Sequence, residues 1–326
     1  MRRSTEFGRI AGALYGVAVG DALGAPLEFM SAEAIAHAYG TVREMIGGGW
    51  LNVEPGEVTD DTQMTLAVAY GILECPEKPV EGIGMRFIKW MESGPKDVGS
   101  TCATAIRKAQ REARRPHSPT QQEWLEASYK THRMLGGRSA GNGSLMRTAY
   151  VGLFYDQEAE VCEKAEAISR MTHYDPIAAT DCAAYCMMLN RMVREDDLNA
   201  RRDIIRVVLA MYSDCSSRYN YDQLASESFR PNPSGYVVDS FAAALHCIFT
   251  TASFEAALVK AVNLGGDADT IGAITGGLAG ALYGIATIPM RWRNTFDRQT
   301  DMKLNYLVGV ASGRRSAMRE KRKVLA

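Results

Sequence analysis

The sequence has few of the residues that build zinc sites and disulfide frameworks. Only five His and seven Cys occur among its 326 residues. No two His stand at metal-ligand spacing and no CxxC pair is present, which argues against a zinc site of the His/Cys kind. An odd number of scattered Cys is typical of reduced thiols, so we expect a cytoplasmic protein without a disulfide framework.

An excess of charge of one sign is also missing. The 37 Lys and Arg against 38 Asp and Glu give a formal net charge of −1. This balance argues against a dominant nucleic-acid or membrane surface, so we expect neither as a partner. The C-terminus alone is locally basic, and we interpret it as the solvated end of a helix. Its cations are Arg314, Arg315, Arg319, Lys321, Arg322 and Lys323.

Two long apolar segments, at residues 10–25 and 271–290, resemble a signal peptide and a membrane span. The first is Gly-rich and is interrupted by Asp21. The second has no charge, but five Gly dilute its hydrophobicity and Pro289 ends it. We therefore predict that both are buried helices.

The sequence lacks repeated β-branched alternation bounded by hairpin turns, which excludes a β-sheet protein. Helical periods bounded by caps and breakers recur instead. We predict an all-α chain and, because no linker is long enough to divide it, a single domain over residues 1–326. The helices are expected at residues 63–73, 81–91, about 101–114, 121–132, 176–193, 198–212, 236–250 and 254–262.

One helical cassette occurs near both ends of the chain. Residues 10–18, IAGALYGVA, return as residues 278–286, LAGALYGIA. Glycines recur every four residues in both copies and so lie along one helix face. Gly costs about 1 kcal/mol relative to Ala in a helix interior, a cost that is tolerated where backbones approach closely. We predict that the two helices pack together, or against other central helices, at short distance. The stripes are Gly12, Gly16, Gly20 and Gly24, and Gly272, Gly276, Gly280 and Gly284.

Two acidic turns carry the most distinctive chemistry. Asp267 and Asp269 follow Gly265-Gly266, and Asp60 and Asp61 follow Thr59 about two hundred residues earlier. Each turn stands at a predicted helix start, where a carboxylate can cap free N–H groups. Capping explains one Asp of each turn and leaves the second Asp unexplained. The alternative is that the two turns meet and share cations.

Four carboxylates within a few ångström of one another would repel by several kcal/mol without cations. Oxygen ligands without imidazole or thiolate select Mg²⁺, Mn²⁺ or Ca²⁺. The turn after Gly266 lacks the Gly and distal Glu spacing of an EF-hand. A pair of such metals could orient a water molecule and hold substrate oxygens, as in two-metal hydrolysis.

Three further features have two readings each. The Gly-rich run at residues 141–144 could wrap a phosphate with its N–H groups or be a plain loop. His173 could be a ligand or a structural neighbour of the helix start at Asp175-Pro176. Asp97 could act as an acid or base, or cap the following helix.

Together these motifs resemble the ADP-ribosylglycohydrolase family, and within it the arginine-directed branch typified by the dinitrogenase-reductase-activating glycohydrolases. Six motifs stand in family order and span most of the chain. They are residues 20–28, Thr59-Asp60-Asp61-Thr62, Asp97-Val98-Gly99, residues 139–147, Thr172-His173 and residues 265–270.

The resemblance implies a single compact multi-helix orthogonal bundle with a binuclear metal site between its central helices. Two Mg²⁺ or Mn²⁺ would be held by Thr59, Asp60, Asp61, Asp267, Asp269 and Thr270. The catalytic residues implied are Asp97 as proton shuttle, Asp60 or Asp61 to help orient water, and Glu28 beside the metals, where in the family it is sometimes a ligand. The substrate-binding residues implied are Gly99, Ser100, Gly141, Asn142, Gly143, Ser144, Met146 and His173.

The implied reaction is hydrolysis of the bond between ADP-ribose and a modified protein side chain, with arginine as the expected attachment. An ADP-ribosylated protein would be the substrate and ADP-ribose the product. One alternative is a hydrolase of serine-linked, nucleotide or small-molecule conjugates. Another is a catalytically silent ADP-ribose binder or structural protein of the same fold. The chain departs from many relatives at residues 150–152 and in the segment 214–235, and both departures bear on the choice of target.

Overall fold

The computed structural model describes residues 2–113, 119–212 and 218–325. Within these ranges the chain forms sixteen α-helices and three short 3₁₀ helices, with no β-strand. The predicted all-α fold is confirmed. The α-helices are α1 Arg2–Gly24, α2 Ala32–Tyr39, α3 Asp60–Glu74, α4 Pro79–Glu92, α5 Ser100–Glu112, α6 Gln121–Met134, α7 Ala149–Phe154, α8 Glu158–Ser169, α9 Pro176–Met192, α10 Leu198–Met211, α11 Tyr221–Leu224, α12 Val237–Phe249, α13 Phe254–Val262, α14 Ala268–Tyr283, α15 Met290–Arg293 and α16 Arg298–Leu325.

Helices α1 and α14 form the centre of the fold and run antiparallel with their glycine stripes in contact. A Cβ atom on Gly16 would lie 2.0 Å from the carbonyl oxygen of Gly276, and one on Gly276 would lie 1.9 Å from that of Gly16. The same relation joins Gly12 to Gly280 and Gly20 to Gly272. The predicted close packing of the two cassettes is confirmed, and it brings the two ends of the chain together.

Gly276→Ala is expected to lower the free energy of unfolding by about 3 kcal/mol or more, because the added methyl group overlaps the opposing backbone. Gly309→Ala in α16 is the matched control, since a Cβ there meets nothing within 4 Å. This control should be neutral or should stabilise by up to about 1 kcal/mol. Urea unfolding of the two variants measures the difference. Equal stabilities would contradict the close contact of α1 with α14.

The first apolar segment is a buried helix, as predicted, and so are residues 271–283 of the second. The prediction for the rest of the second segment is wrong, because α14 ends at Tyr283 and Ile285–Thr287 form a 3₁₀ helix without a buried residue. One helix in the described ranges, Thr5–Leu27, is long and apolar enough to cross a membrane, and its whole apolar window is buried inside the protein. Helix α14 is buried along most of its length. Their apolar character is therefore accounted for by packing against each other and against α3, α12 and α13.

Several predictions of local structure need correction. Helices α2, α7, α8, α11 and α15 were not predicted. Four of them have eight residues or fewer, and in the twelve-residue α8 the buried apolar positions cover only about two turns. The helix expected to reach residue 114 ends at Glu112, and residue 114 lies outside the described residues. The basic C-terminus is not fully solvated: Arg315 is 1% exposed and donates to the carbonyl oxygens of Gly152, Leu153 and Tyr155.

Candidate active site

The acidic turn before α14 is held by backbone hydrogen bonds from two other segments. The N–H of Phe29 donates to the Gly266 carbonyl at 2.7 Å, and the N–H of Gly266 donates to the Met30 carbonyl at 2.8 Å. Asp267 N–H donates to the Pro233 carbonyl at 3.0 Å. Gly266 has a φ of 62°, and a Cβ there would lie 1.9 Å from the Pro233 carbonyl oxygen. Only glycine fits this position, because a side chain would overlap the opposing backbone.

The turn before α3 is held by Asp21, which lies fully buried on α1. Its carboxylate accepts hydrogen bonds from the N–H and hydroxyl of both Thr59 and Thr62. Asp21 therefore fixes the start of α3 against α1, and with it the directions of Asp60 and Asp61. The sequence signal for this role was a carboxylate inside a Gly-rich apolar helix, which requires a buried polar partner.

The structure shows how the two acidic turns are placed and which of their carboxylates cap a helix. Asp267 occupies the N-cap of α14 but makes no side-chain cap hydrogen bond. Its carboxylate instead accepts from Asn142 Nδ2 at 2.8 Å. The two turns do meet, because Thr270 Oγ1 lies 3.4 Å from Asp61 Oδ2. The N-cap of α5 is Gly99, so Asp97 does not cap that helix.

Carboxylates from three separate segments converge beside these turns. Glu28, Asp97 and Asp269 each offer an oxygen, and these atoms all lie within 4.8 Å of one another. Asp61 is 1% exposed and its Oδ1 atom has no hydrogen-bond partner. A buried carboxylate oxygen without a donor is costly unless a cation or a proton satisfies it.

The carboxyl groups of this cluster favour their protonated forms without a counter-charge. The pKa values of Asp60, Asp61 and Asp269 are raised well above the ordinary value. Burial is the largest cause, and the neighbouring carboxylates add to it. Burial also raises the pKa of Asp21 to about 6 and that of Glu28 to about 8. A divalent cation removes this repulsion. The oxygen-only donor set and the unpaired Asp61 Oδ1 both fit a hard cation such as Mg²⁺ or Mn²⁺.

A cavity of about 380 Å³ opens onto the cluster. Most of the predicted site residues line this cavity. The Gly-rich run and His173 form one wall, and the acidic residues form the opposite wall. Those that line it are Glu28, Asp60, Asp97, Gly99, Ser100, Gly141, Asn142, Gly143, Met146, His173, Asp267 and Thr270.

Four predicted site residues do not line this cavity. Asp61 and Asp269 are buried behind its acidic wall, and the Thr59 hydroxyl donates to Asp21. Ser144 is fully buried, and its hydroxyl accepts from Ser169 at 2.9 Å. Thr59, Asp61 and Asp269 therefore belong to the acidic cluster without lining the cavity. Ser144 lies outside the cluster, in a hydrogen bond with Ser169.

Two aromatic side chains at the cavity rim were not predicted. Phe29 is 71% exposed at a φ of 63°, and its ring lies 5.4 Å from that of Trp50. Trp50 Nε1 donates to Glu28 Oε2 at 2.7 Å, which holds the Glu28 carboxylate at the cluster. No local motif marks Trp50, since it lies in a loop and its partner is 22 residues away. The segment at residues 233–236 also borders the site, because Gly235 lines the cavity and accepts from Asn142 N–H.

The metal-free protein is expected to lose stability between about pH 7 and pH 8.5, and Mn²⁺ or Mg²⁺ is expected to restore it. A carboxyl whose pKa is raised by folding stabilises below its unfolded pKa, and this contribution is lost as the pH rises through the folded value. For Glu28 that value is about 8. His173 is neutral in both states above pH 7, because burial lowers its pKa to about 3.

Thermal unfolding in a chelator, with and without added metal, measures this effect. The metal-induced rise in melting temperature should be larger at the higher pH. Asp61→Asn should reduce the pH dependence, because it removes one buried carboxyl. A metal-free protein that gains stability over this pH range would contradict the expected coupling.

Comparison with known proteins finds matches over most of the chain. The profile of a family described as ADP-ribosylglycohydrolase matches residues 2–317. The ADP-ribosyl-[dinitrogen reductase] glycohydrolase of Rhodospirillum rubrum is 34% identical over 299 residues, which cover 91% of this chain and 92% of the relative. The ADP-ribosylarginine hydrolase Tri1 of Serratia proteamaculans is 27% identical, covering 91% of this chain and 77% of the relative. A solved structure described as an ADP-ribosylglycohydrolase-related protein complex has a TM-score of 0.76 and 29% identity, and the match covers 94% of this chain and 99% of that chain.

Proposed function

This chain belongs to the ADP-ribosylglycohydrolase family, and from that premise we propose that it hydrolyses the bond between ADP-ribose and an arginine side chain of a modified protein. The observation that carries the proposal is the cavity where Glu28, Asp97 and Asp269 converge opposite a Gly-rich loop. Support for arginine comes from the names of relatives, which include ADP-ribosylarginine hydrolases. The two Gly-striped helices join both ends of the chain, and we propose that residues 1–326 act as one domain.

We propose two Mg²⁺ or Mn²⁺ as cofactors, in accord with the hard oxygen donors of the cluster. When bound, such ions supply positive charge that holds substrate oxygens and favours ionisation of water. The residues that would hold them are Thr59, Asp60, Asp61, Asp267, Asp269 and Thr270.

Asp97 is proposed as the proton shuttle. Its carboxyl group lines the cavity, and burial raises its pKa, while a hydrogen bond from Val98 N–H acts in the opposite direction. A carboxyl in this state can take the proton of an attacking water molecule and return it to the leaving guanidine nitrogen. Asp60 lines the same cavity as Asp97, and we propose that it helps to orient that water.

The other wall of the cavity is proposed to bind ADP-ribose. A Cβ on Gly141 would lie 3.2 Å from His173 Nε2, and one on Gly143 would lie 3.2 Å from Cys102 Sγ. The absence of side chains therefore leaves room beside His173 for a phosphate group and leaves backbone N–H groups accessible to it. Gly99, Ser100, Asn142 and Met146 complete this wall.

Release of ADP-ribose from defined peptides tests the proposal. Arg-linked and Ser-linked ADP-ribosylated peptides are incubated with the metal-loaded protein, with Asp269→Ala as the inactive control. We expect release from the Arg-linked peptide and little from the Ser-linked one. Release from serine alone would overturn the arginine assignment. Equal background release by the wild type and Asp269→Ala would show a silent binder.

A further inference from the structure

Arg147 lies fully buried below the Gly-rich loop and has no carboxylate within ion-pair distance among the described residues. Its guanidinium stacks on Phe87, 4.6 Å from the ring centroid. One amino group, Nη1, contacts Cys102 Sγ at 3.3 Å. The other, Nη2, donates to Thr172 Oγ1 at 2.7 Å and to the Ile168 carbonyl at 3.3 Å. Burying a cation without a counter-charge is costly, so this position calls for a functional account.

The contact of Arg147 with Thr172 bears on the direction of the hydrogen bond between Thr172 and His173. Arg147 has only donors, so Thr172 Oγ1 must accept from it. The same oxygen lies 2.8 Å from His173 Nδ1. Thr172 has one hydroxyl hydrogen left, and two groups compete for it: His173 Nδ1 and the Cys102 sulfur. An imidazole nitrogen is a much better acceptor than sulfur, and this favours donation of the hydroxyl hydrogen to Nδ1.

The opposite nitrogen of the ring faces the cavity. His173 is 2% exposed and lines the cavity, with Nε2 directed towards Gly141 and Gly143. Burial and the Arg147 charge lower its pKa to about 3, so the ring is neutral and carries one N–H. Since Nδ1 accepts from Thr172, that hydrogen is on Nε2.

We propose that Arg147 and Thr172 are positioning residues that fix His173 as the Nε2–H tautomer, so that the ring donates a hydrogen bond to a phosphate oxygen of the bound diphosphate. The identity of the ligand rests on the proposed function, whereas the tautomer does not. A neutral donor in this place binds an anionic oxygen without adding a titrating charge beside the carboxylates. The opposite tautomer would present a lone pair to the phosphate and repel it.

The tautomer is measured directly by ¹⁵N NMR of the full-length protein labelled at histidine, near pH 7. The chain has five His, so the His173 resonances are identified by their loss in His173→Gln. We expect the Nε2–H form as the single population in the wild type. An Nδ1–H form, or an even mixture, would overturn the proposal, whatever substrate the protein hydrolyses.

The consequence for binding is measured with ADP-ribose by calorimetry in wild type, Thr172→Val and Thr172→Ser. Thr172→Val removes the donor to Nδ1, and we expect about tenfold weaker binding together with a mixed tautomer. Thr172→Ser keeps the hydroxyl and should restore both the affinity and the single tautomer. Unchanged affinity in Thr172→Val would overturn the positioning role.

Two controls keep the outcomes distinct. If Thr172→Val does not fold, the wild-type spectrum and the Thr172→Ser affinity decide the question. If the wild type binds no ADP-ribose while His173 is in the Nε2–H form, the proposed function fails and the assignment of the tautomer stands.

Discussion

Asp61→Asn is expected to lower kcat/KM for ADP-ribose release by about 1,000-fold, equivalent to about 4 kcal/mol of transition-state stabilisation. The substitution keeps the shape of the side chain and removes its charge. Asp61 contributes the buried Oδ1 atom that has no hydrogen-bond partner, and its Oδ2 atom is 3.4 Å from Thr270. A cation held between these turns would lose affinity, and with it the charge that the reaction requires.

The same variant is expected to make the metal-free protein more stable at about pH 8, because Asn removes one of several mutually repelling carboxylates. A simultaneous loss of activity and gain in metal-free stability separates a metal-site effect from unfolding. Asp203→Asn, at an exposed position on α10, is the matched control and should change neither quantity. Activity in Asp61→Asn within tenfold of the wild type would rule out a metal at this position.

Asp97→Asn is expected to lower kcat by about 1,000-fold with little change in bound metal or in KM. Asn cannot take up or return a proton, so the loss should fall on the chemical step. The pH profile of kcat should also lose the limb that reports ionisation of the Asp97 carboxyl group. Activity assays across the pH range, combined with metal analysis of the purified variant, measure both effects.

Metal analysis is the decisive part of this experiment, because an Asp97 oxygen lies within 4.8 Å of oxygens of Glu28 and Asp269. Loss of one equivalent of metal in Asp97→Asn would make Asp97 a ligand rather than a proton shuttle. Unchanged kcat would remove it from the mechanism altogether.

Periodic features of the sequence predicted the centre of the fold well. Glycines every four residues in two matching cassettes indicated close packing with each other or with other central helices, and α1 and α14 pack together, running antiparallel. The physical reason is that glycine in a helix interior is destabilising unless a close approach requires it. Helices α7 and α8 escaped prediction because packing against α9, rather than a long local repeat, stabilises them.

Contacts between residues distant in sequence were the part of the site that could not be predicted. Asp21 was seen as a charge in an apolar helix, but its four hydrogen bonds depend on where α3 begins against α1. The hydrogen bond of Trp50 to Glu28 joins a loop to the end of a 3₁₀ helix, and nothing local specifies it. Arg147 gave no signal of burial, because an Arg in a Gly-rich motif is usually exposed.

We propose that this cleft uses a divalent metal to release ADP-ribose from arginine. The most direct measurement is the rate of release from an Arg-linked ADP-ribosylated peptide by the wild type, first after chelation and then after addition of Mn²⁺ or Mg²⁺. We expect the rate of release to fall at least about 100-fold in the chelator. It should recover fully when at least one of the two ions is added. Release at the full rate by protein shown to be free of divalent metal would contradict it.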